Sequence, residues 1–151
     1  MSTARSSKPI PLPAAVRRGG RQGWIVAVVG GAVAGAVTLV VPALLSRPNA
    51  FGFLAVWLGV TAGVYLGFAL QDGRSSALGV EVVGVALFAA VATVALVREV
   101  VWLLAAGYFG HGLWDLIHHR RGIDTAMPWW WVPGCLGYDA VLGAYILLRF
   151  L

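Results

Sequence analysis

Residues 77–119 read ALGVEVVGVALFAAVATVALVREVVWLLAAGYFGHGLWDLIHH. Only Glu81 and the Arg98–Glu99 pair carry charge before Asp115 is reached. As one helix the stretch would be a rod of about 64 Å, twice the roughly 30 Å of a hydrocarbon layer. Divided at Arg98–Glu99, it gives two apolar segments, 77–97 and 100–119, each long enough to cross a bilayer. The sequence therefore predicts a tight hairpin near Arg98, although neither glycine nor proline marks it. That division sets the fold class.

Working outward, three more apolar segments follow the same rule, at about 24–45, 51–70 and 133–148. The fold predicted is an all-α integral membrane protein, a five-helix transmembrane bundle spanning residues 24–151. The first segment is longer than the roughly 7–15 apolar residues of a signal peptide, so it reads as a span. Gly31 and Gly35 share one face of it, and Gly59, Gly63 and Gly67 recur every fourth residue in the second. Both patterns are expected to admit a neighbouring backbone, or a second copy of the chain. Pro42 is expected to bend the end of the first span, with a turn at Ser46–Asn49 and a loop at Gln71–Ser76. Met127–Val132 forms an aromatic interfacial segment, and Pro133 suits a helix start.

Composition supports this reading. Of 151 residues, 60% are hydrophobic and 11% charged, whereas a soluble domain carries about 25% charged residues. The net charge of +5 does not point to nucleic acid, because Arg5, Lys8, Arg17, Arg18 and Arg21 all precede the apolar runs. Residues 1–23, broken by prolines and a Gly-Gly pair, read as a disordered basic tail held in the cytoplasm against anionic lipid heads. The lone Cys135 excludes an internal disulfide and a Cys-x-x-Cys pair. Lys8, the only lysine, lies outside the spans and excludes a Schiff base within them.

With the tail inside, five spans place loops 71–76 and 119–128 in the cytoplasm. Eight basic residues then lie on that side (the five above with Arg74, Arg120 and Arg121). Arg47, Arg98 and Arg149 lie on the other. The balance agrees with the positive-inside rule.

The same topology gathers ionisable groups. His111, Asp115 and His118 fall within about 60° on one helix face, and His119 lies about 40° beyond Asp115. Glu81, Cys135 and Asp139 come from neighbouring spans in the same half of the membrane, with His111 and Asp139 roughly 9–12 Å deep. Intramembrane charges of this kind are costly and usually mark a site. Imidazole and carboxylate ligands suit a divalent metal such as zinc. His111, Asp115, His118, His119 and Asp139 are the candidate ligands, and His111, Asp115 and Asp139 the candidate catalytic groups. The competing reading leaves His118, His119, Arg120 and Arg121 at headgroup depth, with Asp115 paired to an arginine. Trp114 is expected to pack or anchor, and Cys135 to behave as a small apolar residue.

His111, Trp114, Asp115, His118 and His119, followed by Cys135 and Asp139, form the pattern H-x-x-W-D-x-x-H-H then C-x-x-x-D. Over roughly residues 100–150 the chain resembles small bacterial multi-pass membrane proteins that pair these two motifs and have no assigned activity. The resemblance implies an inner-membrane location. Membrane di-iron desaturases need more histidine boxes, and ceramidase-like zinc hydrolases need more helices and a serine that this chain lacks.

Three functions follow as expectations: a metal-dependent site acting on a lipid-like substrate, a small proton-coupled carrier, or a structural subunit. The sequence does not choose between enzyme and carrier. Its expected partners are membrane lipids and another copy of the chain.

Overall fold

A computed structural model describes residues 20–120 and 125–151, with side chains described for 20–116 and 125–151. The described residues form six helices and no strand. They are α1 (Arg21–Thr38), α2 (Val40–Leu44), α3 (Arg47–Asp72), α4 (Ser75–Arg98), α5 (Val101–Arg120) and α6 (Trp131–Phe150). The protein is an all-α bundle. Among the described residues, four stretches are long and apolar enough to cross a membrane: Arg21–Leu44, α3, α4 and α6.

Helices α1 and α2 form one stretch interrupted at Leu39. Proline has no amide hydrogen to return to the carbonyl four residues back, so Pro42 removes the bond that Thr38 would receive. Ser46–Asn49 is not the expected turn, because α3 already begins at Arg47 with Pro48 in its first turn. Proline is tolerated there, since the first amides of a helix have no internal partner. The expected loop at 71–76 shrinks to Gly73 and Arg74, with Gly73 left-handed at φ 75°. The predicted hairpin turns on Glu99, which is left-handed at φ 53°, ψ 37°. There Val100 N–H donates to the Ala95 carbonyl at 2.9 Å and closes the end of α4.

Helix α6 packs against α1 on one side and α5 on the other, while α3 and α4 form a hairpin against α5. Glycine sets the α1–α6 distance. A Cβ on Gly31 would stand 1.8 Å from the Gly134 carbonyl oxygen, and one on Gly137 2.1 Å from that of Val28. Among the described residues no backbone of the same chain packs on Gly59, Gly63 and Gly67: a Cβ on any of them would meet nothing within 4 Å. Helix α3 instead buries the face carrying Leu54, Leu58, Ala62, Tyr65 and Ala69. These side chains fill the hairpin and leave the glycine stripe outside.

Leu54, Leu58, Phe88, Leu104, Tyr108, Leu142 and Ile146 anchor the core. Tyr108 Oη donates to the Leu54 carbonyl at 2.8 Å, tying α5 to α3. Tyr138 Oη accepts from Trp57 Nε1 and donates to Thr38 Oγ1, linking α3, α6 and α1. The exterior is as apolar as the core, with Val26, Val37, Leu44, Val82, Val97 and Leu148 exposed along it. Such a surface is ruinous in water and fitting in lipid.

Candidate functional site

At the centre of this bundle α5 presents His111 and Asp115 one turn apart on its buried face. Helix α6 brings Asp139 against them, since Gly112 leaves space that a side chain would fill. A Cβ there would lie 3.3 Å from Leu136 and 3.6 Å from Asp139 Oδ2. His111 Nδ1 and Asp139 Oδ2 hydrogen-bond at 2.8 Å, and Asp115 Oδ2 lies 3.9 Å from the same nitrogen. One ligand atom from each of the three residues falls within 4.8 Å of the others. All three residues are at most 2% exposed.

The surroundings hold the imidazole in place. Tyr65 of α3 and Phe88 of α4 meet its ring edge-to-face at centroid distances of 5.7 and 5.0 Å. Tyr65 Oη stands beside Asp115 and Cys135 but makes no hydrogen bond of ordinary geometry. Glu81, also buried, accepts a 2.6 Å hydrogen bond from Thr125 Oγ1 and acts electrostatically on both His111 and Asp115. Trp114 packs, with its indole against Gly84 and Phe88.

The polar inventory is incomplete. The hydroxyl of Tyr65, both oxygens of Asp115, Oδ1 of Asp139 and Nε1 of Trp131 are buried without a hydrogen bond. Buried polar atoms are normally satisfied, so five unsatisfied ones in and beside this cluster form an exception that needs a cause. Burying a carboxylate without a partner costs several kcal/mol.

His111, Asp115 and Asp139 therefore come together as their spacing and depth predict. Cys135 borders a cavity shared with His111 and Asp139. Glu81 lines a small cavity together with His111. Asp115 faces His111, and no arginine among the described side chains pairs with it. The side chains of His118 and His119 lie outside the described residues. Tyr65 and Trp131 were not legible as site residues, because a tyrosine in an apolar helix reads as packing and a tryptophan in an aromatic run reads as an interfacial anchor.

No curated protein and no solved structure matches the chain. One family does match, a family of unknown function named DUF6010, over residues 26–150. That span holds all six helices except the first residues of α1, together with every group of the polar site, and the chain belongs to the DUF6010 family.

Proposed function

We propose that this protein crosses the membrane five times and holds a divalent metal, zinc above all, between His111, Asp115 and Asp139. The observation that carries the reading is the cluster of three ligand atoms within 4.8 Å from two helices, with three carboxylate oxygens unpartnered. Ligands around tetrahedral zinc at about 2.1 Å stand roughly 3.4 Å apart. His111 Nδ1 and Asp115 Oδ2, at 3.9 Å, need to close by little. His111 Nδ1 and Asp139 Oδ2, at 2.8 Å, need to open by a similar amount as the metal replaces the proton between them. A divalent ion there would offset carboxylate charge that the apolar surroundings leave uncompensated. It would also polarise a carbonyl or phosphoryl oxygen and supply hydroxide at neutral pH, the chemistry of hydrolysis. Tyr65, beside Asp115, is placed to donate a hydrogen bond to the carboxylate and fix its orientation.

Metal analysis of the purified protein tests the reading. Wild type should retain near-stoichiometric zinc after dialysis, and Asp139→Asn and His111→Ala should retain almost none. Added zinc should raise the unfolding temperature of wild type alone, because a ligand bound only by the folded state stabilises it. Equal, negligible metal in all three would refute it.

Protons would compensate the same carboxylates, and Glu81 is a further buried carboxyl that lines a small cavity with His111. That arrangement favours the carrier as the second reading. It predicts metal-free protein whose flux in proteoliposomes follows a pH gradient and is lost in Asp139→Asn.

A further inference from the structure

Between α1, α3 and α6 lies a cavity of about 560 Å³ that reaches two of the proposed metal ligands. His111 and Asp139, both buried, form its floor. Its mouth is formed by Gly30, Ala34, Val64 and Trp130, all exposed on the apolar exterior. The walls between are apolar or small, and they include Gly31 and Gly134. Along α1 the cavity runs from Ala27 to Ala34, about 10 Å of helix. Anything entering by this route comes from the lipid phase and meets a wet end only at the bottom.

We infer that the cavity binds a single-chain amphiphile drawn sideways from the bilayer, with a hydroxyl head group at Asp139 and Trp131 and its chain at the α1–α3 mouth. The volume lies in the range of pockets that enclose one small molecule, which favours one chain over the two of a bilayer phospholipid. The head group follows from the unsatisfied atoms. Of the cavity's bordering residues, Asp139 carries an unpartnered acceptor and Trp131 an unpartnered donor, both buried. A hydroxyl that reached both would donate to the carboxylate and accept from the indole N–H. Tyr138 and Thr61, also on the wall, are already engaged, Tyr138 with Trp57 and Thr38 and Thr61 with the Leu58 carbonyl. The inference rests on the reading of the His/Asp cluster as the functional site, and it names the class of molecule that reaches it.

Photolabelling of the full chain in nanodiscs, with a hexadecanol carrying a diazirine along its chain, provides the test. Labels should map to the mouth, at Ala34 and Val64. Gly30→Leu should abolish them, because a side chain at Gly30 meets nothing within 4 Å and would occupy the opening without disturbing the fold. Ala34→Leu, at a second exposed position of the mouth, should do the same. Trp131→Phe should weaken labelling about three- to tenfold, the loss of one hydrogen bond. Unlabelled hexadecanol should compete, and hexadecane should not. Labelling spread evenly over outer residues such as Val26 and Val97, or unaltered in both mouth variants, would overturn the inference, as would equal competition by the alkane. Metal content measured on the same samples separates the two readings. A metal-free protein that labels as expected sinks the zinc centre alone, and a zinc-loaded protein that does not label sinks the amphiphile alone.

Discussion

Gly31 and Gly59 occupy patterns that look alike in the sequence and meet opposite fates in the bundle. At Gly31 a methyl group would overlap the Gly134 carbonyl, whereas at Gly59 it would enter open space. Gly31→Ala should therefore destabilise the protein in detergent by about 1–3 kcal/mol, the range for overpacking a tight contact. Gly59→Ala should leave stability unchanged or raise it by up to about 1 kcal/mol through helix propensity. Thermal unfolding of the two variants beside wild type checks both signs, and equal losses would contradict the packing described. What separates the two glycines is a complementary pair, Gly134 and Gly137, about 100 residues further along the chain. No local reading of a small-residue repeat reveals such a partner. The meeting of His111 with Asp139 was legible, because helical period and depth in the membrane are both counted from residue positions. The role of Trp131 was not, because its significance lies in an indole N–H left without an acceptor.

Among the elements, the α4–α5 hairpin shows how a boundary can be located without being understood. The length of residues 77–119 demands a turn near Arg98, since one helix would stand twice as tall as the membrane. The residue that makes the turn is Glu99, in a left-handed conformation that glycine usually fills at the end of a helix. An L-residue there costs about 1–2 kcal/mol. Glu99 is exposed, and among the described residues its side chain has no hydrogen-bond partner, while its backbone amide donates to the Ala95 and Leu96 carbonyls. Glu99→Gly should consequently raise stability by about 1 kcal/mol, somewhat less than the steric relief because glycine also loosens the unfolded chain. An unfolding temperature that falls in this variant would mean that the carboxylate contributes more than the backbone strain removes. The start of α3 shows the converse. Ser-Arg-Pro-Asn reads as a turn by composition, yet proline suits the first turn of a helix as well as a bend, and only packing of Ala50 and Phe51 into the core decides between them.

For the molecule as a whole, the two ends of the bundle differ in a way that fixes how the chain alternates. At one end Arg47 donates to the Phe150 carbonyl, Arg149 donates to the Leu45 carbonyl at 3.1 Å, and Glu99 borders the same depression as Arg47 and Phe150. At the other end Asp72 accepts from Arg74 and from the Ala126 amide, bringing the α3–α4 turn against the segment before α6. The connections at 45–46 and 99–100, with Leu151 beside them, thus collect on one face, and those at 73–74 and 125–130 on the opposite one. This is the alternation that the five proposed crossings would require. By the count read from the sequence, charge should choose the orientation: eight basic residues are assigned to the side of loop 71–76, and Arg47, Arg98 and Arg149 to the other. The excess should keep the second face in the cytoplasm. In a Cys135→Ala background, a membrane-impermeant maleimide should label Ser46→Cys in intact cells and Ser76→Cys only after permeabilisation. Both serines are exposed and neither accepts a capping hydrogen bond from a helix amide, so the substitutions leave the helix ends undisturbed. Labelling of both sites from one side would break the alternation and remove the membrane crossing of α3. With α3 no longer crossing, Tyr65 and His111 could not share a level in the bilayer. A simple reversal would keep the bundle and its buried acids intact, and would move the His/Asp cluster to the outer leaflet, so that the amphiphile cavity would draw on a different lipid pool.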